Sequence, residues 1–198
     1  MGTKTITYYN KKAKELSVAY GQIDFGLIQE QVAAFFSSSN KILELGSGSG
    51  RDANFLIEEG YDVIGIDGSP EMIKESIKQY PALRDRVILC DLAIDYPKFE
   101  FQFDALYSIA TLIHFNKEEL ERVLLNSINV LQDNAPVFIS VSLKRELIQD
   151  DDRFFNGLSK EEWGGLFENC GFKTEKIVEN RDSSGRNITW CSFYLRKV

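Results

Sequence analysis

The sequence predicts an α/β fold: a doubly wound, seven-stranded sheet, mostly parallel with an antiparallel last strand, and helices on both faces. Three observations carry this. An apolar run at 42–45 leads into Gly46-Ser47-Gly48-Ser49-Gly50 and then directly into a helical pattern. A second apolar, β-branched run at 61–66 ends in Asp67, about twenty residues past the first glycine, the register of a nucleotide-binding βαβ unit. Beyond these, strand and helix patterns alternate with short connections, as expected for parallel strands joined by helical crossovers.

The elements follow in order. Residues 10–19 and 25–36 read as two leading helices, the second capped by Asp24. The polar turn Ser37-Ser38-Ser39-Asn40 feeds the first strand, and helices over 52–59 and 70–79 follow the first two strands. Ser69 as N-cap and Pro70 as first helical residue fix the start of the second of these. Strands at 86–89 and 103–108 come next, then a helix capped by Asn116 and a strand at 137–143. Ser159-Lys160-Glu161-Glu162 is a capping box, opening a helix that stops at Gly171. Strands at 172–178 and 188–195, around the turn Asp182-Ser183-Ser184-Gly185, form a closing hairpin that turns the last strand antiparallel. No linker or internal repeat divides the chain, so residues 1–198 form one domain.

Composition narrows the function. With 198 residues and 43% apolar content, the chain suits a single sizeable core. A net charge of −7 and a pI near 4.9 argue against a phosphate-tracking surface, and so against nucleic acid as partner. Cys90, Cys170 and Cys191 are too few for a disulfide framework and lack metal-ligand spacing, so no metal is expected and all three read as buried thiols. No run approaches the ~18 apolar residues of a membrane span, and no signal peptide is recognised, which points to the cytoplasm. Met1-Gly2 fails as a myristoylation signal because position six is Ile6.

The glycine-rich turn carries the chemistry. Glu44, two residues before Gly46, can meet a positive charge while bare glycine backbone lets a ligand approach. A pyrophosphate suits that acid poorly. S-adenosylmethionine, with an ammonium and a sulfonium, suits it well. The chain resembles class I S-adenosylmethionine-dependent methyltransferases over nearly its whole length. Glu44, Gly46 and Gly48 match that family's first motif and Asp67 its second. Cys90-Asp91-Leu92 matches the acid that meets the adenine amino group, and the run 103–108 matches the fourth strand. Gly50-Arg51-Asp52, with Ile188-Thr189-Trp190 and Leu195-Arg196-Lys197, is similar to small bacterial enzymes near the tellurite-resistance methyltransferases. The resemblance implies a Rossmann-like core at 41–198 under an N-terminal helical lid at 1–37.

In open parallel sheets a ligand lies outside the carboxyl ends of the strands, where strand order reverses. The tips at Gly46, Asp67, Asp91 and Ser108 then surround one elongated cofactor. Gly46, Ser47 and Gly48 accommodate its methionine portion. Asp67, flanked by Gly68 and Ser69, takes the ribose. Asp91 and Leu92 border the adenine, against which Met72 packs. The resemblance adds the Ile109 carbonyl as acceptor for the ligand's amino group. Arg51 either pairs with the ligand carboxylate or is a solvated charge, unfavourable at a helix N-terminus. Tyr9 and Tyr20 match the family's lid aromatics, whose rings can exclude water and face a sulfonium; for Tyr9 a hydrophobic staple is the alternative. Lys11, Lys12 and Lys14 read as a solvated helix face.

His114, the single histidine, follows the fourth strand and either accepts a proton or only shapes the pocket. The expected reaction is in-line methyl transfer to a small-molecule acceptor, leaving S-adenosylhomocysteine, by a monomer or homodimer with no membrane partner. The alternatives are an enzyme acting on RNA or protein, a non-catalytic S-adenosylmethionine-binding regulator, and an NAD-dependent oxidoreductase, which Glu44 and the third-glycine spacing disfavour. No Asn-Pro-Pro-Tyr type signature of amino-methylating DNA enzymes follows the fourth strand. Basic residues at Lys144, Arg145, Arg153, Arg181 and Arg186 either form a rim for an acidic acceptor or balance Asp150, Asp151, Asp152 and Asp182.

Overall fold

The computed structural model describes residues 3–23, 26–143, 152–182 and 187–198. Several sequence-level expectations fall outside that set: the Asp24 cap, Lys144-Arg145, Asp150-Asp151, and the turn at 183–186 with Arg186.

Strands β1 (Lys41–Leu45), β2 (Asp62–Asp67), β3 (Val87–Leu89), β4 (Ala105–Ile109), β5 (Pro136–Ser142), β6 (Phe172–Arg181) and β7 (Thr189–Lys197) form one sheet in the order β3-β2-β1-β4-β5-β7-β6. β1 to β5 pair in parallel, and β7 runs antiparallel between β5 and β6. The order reverses between β1 and β4, where a doubly wound sheet opens a crevice for a ligand.

Period-two alternation sorts the core onto two faces. Leu43 and Leu45 of β1 face one side with Val123, Trp163 and Phe167, packed by helices α5 (Lys117–Asn129) and α6 (Lys160–Asn169). Ile42 points to the other side, with Val63, Tyr107 and Phe138, under α2 (Gly26–Phe35) and α3 (Arg51–Glu58). Glu44 follows the alternation onto this second face, and so lands under the N-terminus of α3 rather than among leucines.

Three helix starts form as the residues dictate. Ser69 accepts from Met72 N–H to cap α4 (Pro70–Gln79), and both capping boxes close, Asn116 with Glu119 and Ser159 with Glu162. Helix α1 corrects the reading. It runs from Thr3 to Gly21, well upstream of residue 10, because side chains of its first turns dock on the rest of the chain. Thr5 Oγ1 accepts from Phe154 N–H at 3.1 Å, and Asn10 Oδ1 accepts from Ser69 Oγ at 2.6 Å. Cys90 is a second correction: Cys170 and Cys191 are buried, but Cys90 is only half-buried, at the open end of the short edge strand β3. No described helix is long and apolar enough to cross a membrane.

Candidate active site

The carboxyl ends of β1, β2 and β4 open into one cavity, roofed by α1. Of the residues read from the sequence, Tyr9, Tyr20, Glu44, Gly46, Ser47, Gly48, Arg51, Asp67, Ser69, Met72, Ile109 and His114 all line it. Gly68, Asp91 and Leu92 do not. Ile6 of α1 lies directly over Gly68, such that a Cβ there would sit 3.1 Å from Ile6 Cδ1, and this closes the cavity at that end. The Asp91 carboxylate accepts from Ala93 N–H, while Leu92 is buried in the core.

The glycine-rich turn is folded by its backbone. Gly46 and Ser47 N–H both donate to the Ile66 carbonyl, at 2.7 and 3.1 Å. Gly46 has φ 75°, and a Cβ at that position would fall 2.0 Å from Thr111 Oγ1. Only glycine satisfies both constraints. Asp67 binds the turn from below: Gly48 N–H donates to Oδ2 and Ser69 N–H to Oδ1, each at 2.8 Å. Burial pushes the Asp67 carboxyl up, and these backbone donors oppose that shift. At the tip of β4, Ala110 takes a left-handed φ of 58°, a strain of the kind that clusters at functional sites.

Glu44 is 3% exposed, and its Oε2 has no hydrogen-bond partner among the described residues. Desolvation holds its carboxyl well above the ordinary value, with Asp52 reinforcing the shift, Arg51 opposing it and Asp67 adding to it. A buried carboxyl with an unmatched oxygen on a cavity wall is a receptor for a cationic group. It also destabilises the empty protein in a defined pH window. Above the unfolded value near 4.5 the unfolded chain loses this proton while the folded chain retains it, so stability falls as pH rises toward the folded pKa. Glu44→Gln removes that slope. Denaturant unfolding at pH 8 should show the variant more stable than wild type, with the difference shrinking toward pH 5. Equal stability at pH 5 and pH 8 in wild type means that Glu44 ionises freely.

Arg51 is not a solvated charge. Its guanidinium grips Asp52 in a bidentate pair at 2.9 and 2.7 Å, donates to the Tyr20 carbonyl at 3.0 Å, and is largely buried. Gln29 donates to the same Asp52 at 2.9 Å. The cation that is unfavourable at the start of α3 is thus neutralised by its neighbour, and the pair ties both leading helices to the turn.

The opposite wall is aromatic. His114 ends a short 3₁₀ turn at Leu112–His114 and is buried. Its Nδ1 lies 2.7 Å from the Phe154 carbonyl and its Nε2 3.0 Å from the Tyr9 hydroxyl. The segment carrying Arg153, Phe154 and Phe155 is pinned to that turn by Asn156, which donates to the carbonyls of Leu112 and Phe115. Trp190 completes the wall and donates to Asp182 at 2.9 Å. Sequence reasoning passed over Ile6, Thr111, Phe155 and Trp190 as site residues. Trp190 had a usable signal, because β7 runs antiparallel and its first residues reach the edge where the parallel strands end.

Residues 42–134 match the family model described as a methyltransferase domain. Just under half of the chain is thus similar to a methyltransferase domain. Among curated relatives, an uncharacterized methyltransferase of Oceanobacillus iheyensis is 31% identical over 51% of this chain and 46% of its own length. Another, from Schizosaccharomyces pombe, is 26% identical over 73% of this chain and 63% of its own length. The chain thus spans less than two thirds of either relative. Among solved structures, the 1,6-didemethyltoxoflavin-N1-methyltransferase of Burkholderia thailandensis, with 1,6-didemethyltoxoflavin and S-adenosylhomocysteine bound, superposes with a TM-score of 0.78 at 15% identity, covering 98% of this chain and 88% of that one. A magnesium protoporphyrin IX methyltransferase from Synechocystis, with S-adenosylmethionine bound, gives a TM-score of 0.74 at 16% identity, covering 100% of this chain and 98% of that one. Likeness at such identity establishes a fold shared with these enzymes.

Proposed function

We propose that the chain is a methyltransferase that uses S-adenosylmethionine to methylate a small-molecule acceptor, as a single domain in which residues 1–37 form a lid over the core at 41–198. The observation that carries the reading is the unmatched Glu44 oxygen beside the glycine turn, with Asp67 at the turn's other end. The two acids suit the two ends of the cofactor: Glu44 the ammonium, Asp67 the ribose hydroxyls. The Ile109 carbonyl is a further acceptor for the ammonium. Gly46, Ser47 and Gly48 admit the methionine portion, with Arg51 holding the turn and Tyr20 in place. Ser69 and Met72 flank the ribose and adenine, and Asp91 and Leu92 border the adenine once Ile6 withdraws from Gly68. Bound S-adenosylmethionine would supply an electrophilic methyl group at the glycine turn. The chain's own work is to align the acceptor, exclude water beneath α1, and take up any released proton.

The run Gly50-Arg51-Asp52, now seen as an ion pair anchoring α1, is the feature behind a proposed place near the tellurite-resistance methyltransferases. A net charge of −7 favours a small acceptor over RNA, and three free thiols suit the reducing cytoplasm.

Calorimetry with S-adenosylhomocysteine and with NAD tests the reading. Binding of the first and not the second is expected, and Glu44→Gln should weaken the first even as it stabilises the empty protein. Binding of NAD alone overturns the assignment. Cofactor binding with no methyl transfer across a broad acceptor screen instead identifies a regulator.

A further inference from the structure

His114 has both ring nitrogens engaged, and the partners fix its tautomer. The Phe154 carbonyl can only accept, so the proton sits on Nδ1 and the lone pair of the neutral ring on Nε2. The Tyr9 hydroxyl must therefore donate to Nε2. His114 has no direct line to an acceptor in the cavity, since Tyr9 stands at its basic nitrogen. The Tyr9 oxygen itself still accepts, and Arg153 Nη1 donates to it at 3.3 Å. Burial of Tyr9 raises its phenol above the ordinary range, Tyr20 adds to this and Arg153 opposes it, so the hydroxyl passes a proton along rather than resting as phenolate.

We propose that Tyr9 and His114 form a proton relay for a planar acceptor that carries an acidic O–H or N–H. The inference rests on the methyltransferase reading above and names the acceptor class of that same site. Rings of Tyr9, Phe155 and Trp190 line the cavity and supply aromatic surface for a planar acceptor. The Arg153 guanidinium lies over Tyr8 at 4.7 Å, Phe155 at 5.1 Å and Tyr9 at 5.7 Å, which sets a fixed positive charge beside the oxygen through which the proton moves.

The step balances. As the acceptor heteroatom bonds to the methyl carbon, its bond to hydrogen breaks and that electron pair stays on the heteroatom. The proton passes to the Tyr9 oxygen while Tyr9's own proton moves to Nε2. His114 ends as imidazolium, its Nδ1–H on the Phe154 carbonyl and its Nε2–H on Tyr9. The positive charge lost from sulfur reappears on the imidazole, so the cavity gains no net charge despite Arg153 nearby.

Because the chain has one histidine, ¹⁵N-histidine NMR gives a single pair of ring signals. The probe is 4-nitrophenol, added to the protein saturated with S-adenosylhomocysteine at a pH where the free probe is un-ionised. Without probe, His114 should be neutral with the proton on Nδ1. With probe, the bound molecule should absorb as phenolate and the ring should shift to imidazolium. Tyr9→Phe should keep probe affinity within about threefold yet leave His114 neutral, and with a true acceptor it should lower kcat by roughly 100-fold. The relay is overturned by an Nε2–H tautomer in the probe-free protein, by a bound probe that leaves wild-type His114 neutral, or by a Tyr9→Phe variant that behaves as wild type. S-adenosylhomocysteine binding without probe binding overturns the acceptor class and leaves the methyltransferase reading standing. Failure to bind S-adenosylhomocysteine strikes that reading itself.

Discussion

Gly46→Val should abolish measurable binding of S-adenosylhomocysteine, with affinity falling at least ~100-fold, or about 2.7 kcal/mol. Two independent constraints meet at this position. The backbone is left-handed, which a β-branched residue adopts only under strain, and the space for a Cβ is filled by the Thr111 side chain. Thr111 cannot step aside freely, because its hydroxyl donates to the Ile109 carbonyl at 3.2 Å and its backbone starts the turn that holds His114. Calorimetry, with circular dichroism to check that the sheet persists, measures the result. Wild-type affinity in a folded variant would place the ligand elsewhere.

Asp67→Ala should weaken S-adenosylhomocysteine by roughly 1.5–3 kcal/mol, the loss of charge-assisted hydrogen bonds to the ribose. The structure adds a reason to expect the upper end. The carboxylate also clasps Gly48 and Ser69 N–H, so its removal frees the turn that must lie against the ligand. Asp67→Asn, which retains one acceptor oxygen, should fall between alanine and wild type. Equal affinity for all three removes Asp67 from the site.

Much of this was legible in the sequence because local rules set it. The two capping boxes, the Ser69-Pro70 start and the strand tips at Gly46 and Asp67 depend on neighbours in the chain, and each forms where the pattern put it. Contacts across long separations were not legible. Arg51 read as a charge looking for a partner, and beyond its neighbour Asp52 it reaches the Tyr20 carbonyl, 31 positions away. The reach of α1 depends on Thr5 meeting Phe154, nearly 150 positions away, and no periodicity carries that information. Gly68 was read as part of the cofactor wall; which residue lies over it was decided by how α1 docks.

The chain's two tryptophans differ in situation. Trp163 is fully buried between α6 and the sheet, stacked on Phe167 at 5.5 Å, while Trp190 faces the cavity. Their emission should therefore separate. Trp163 contributes a blue-shifted band that stays constant until the sheet melts, whereas Trp190 changes intensity whenever something enters beside it. A Trp163→Phe variant leaves one emitter at the site, so occupancy of the acceptor side becomes readable by fluorescence before any acceptor has a name.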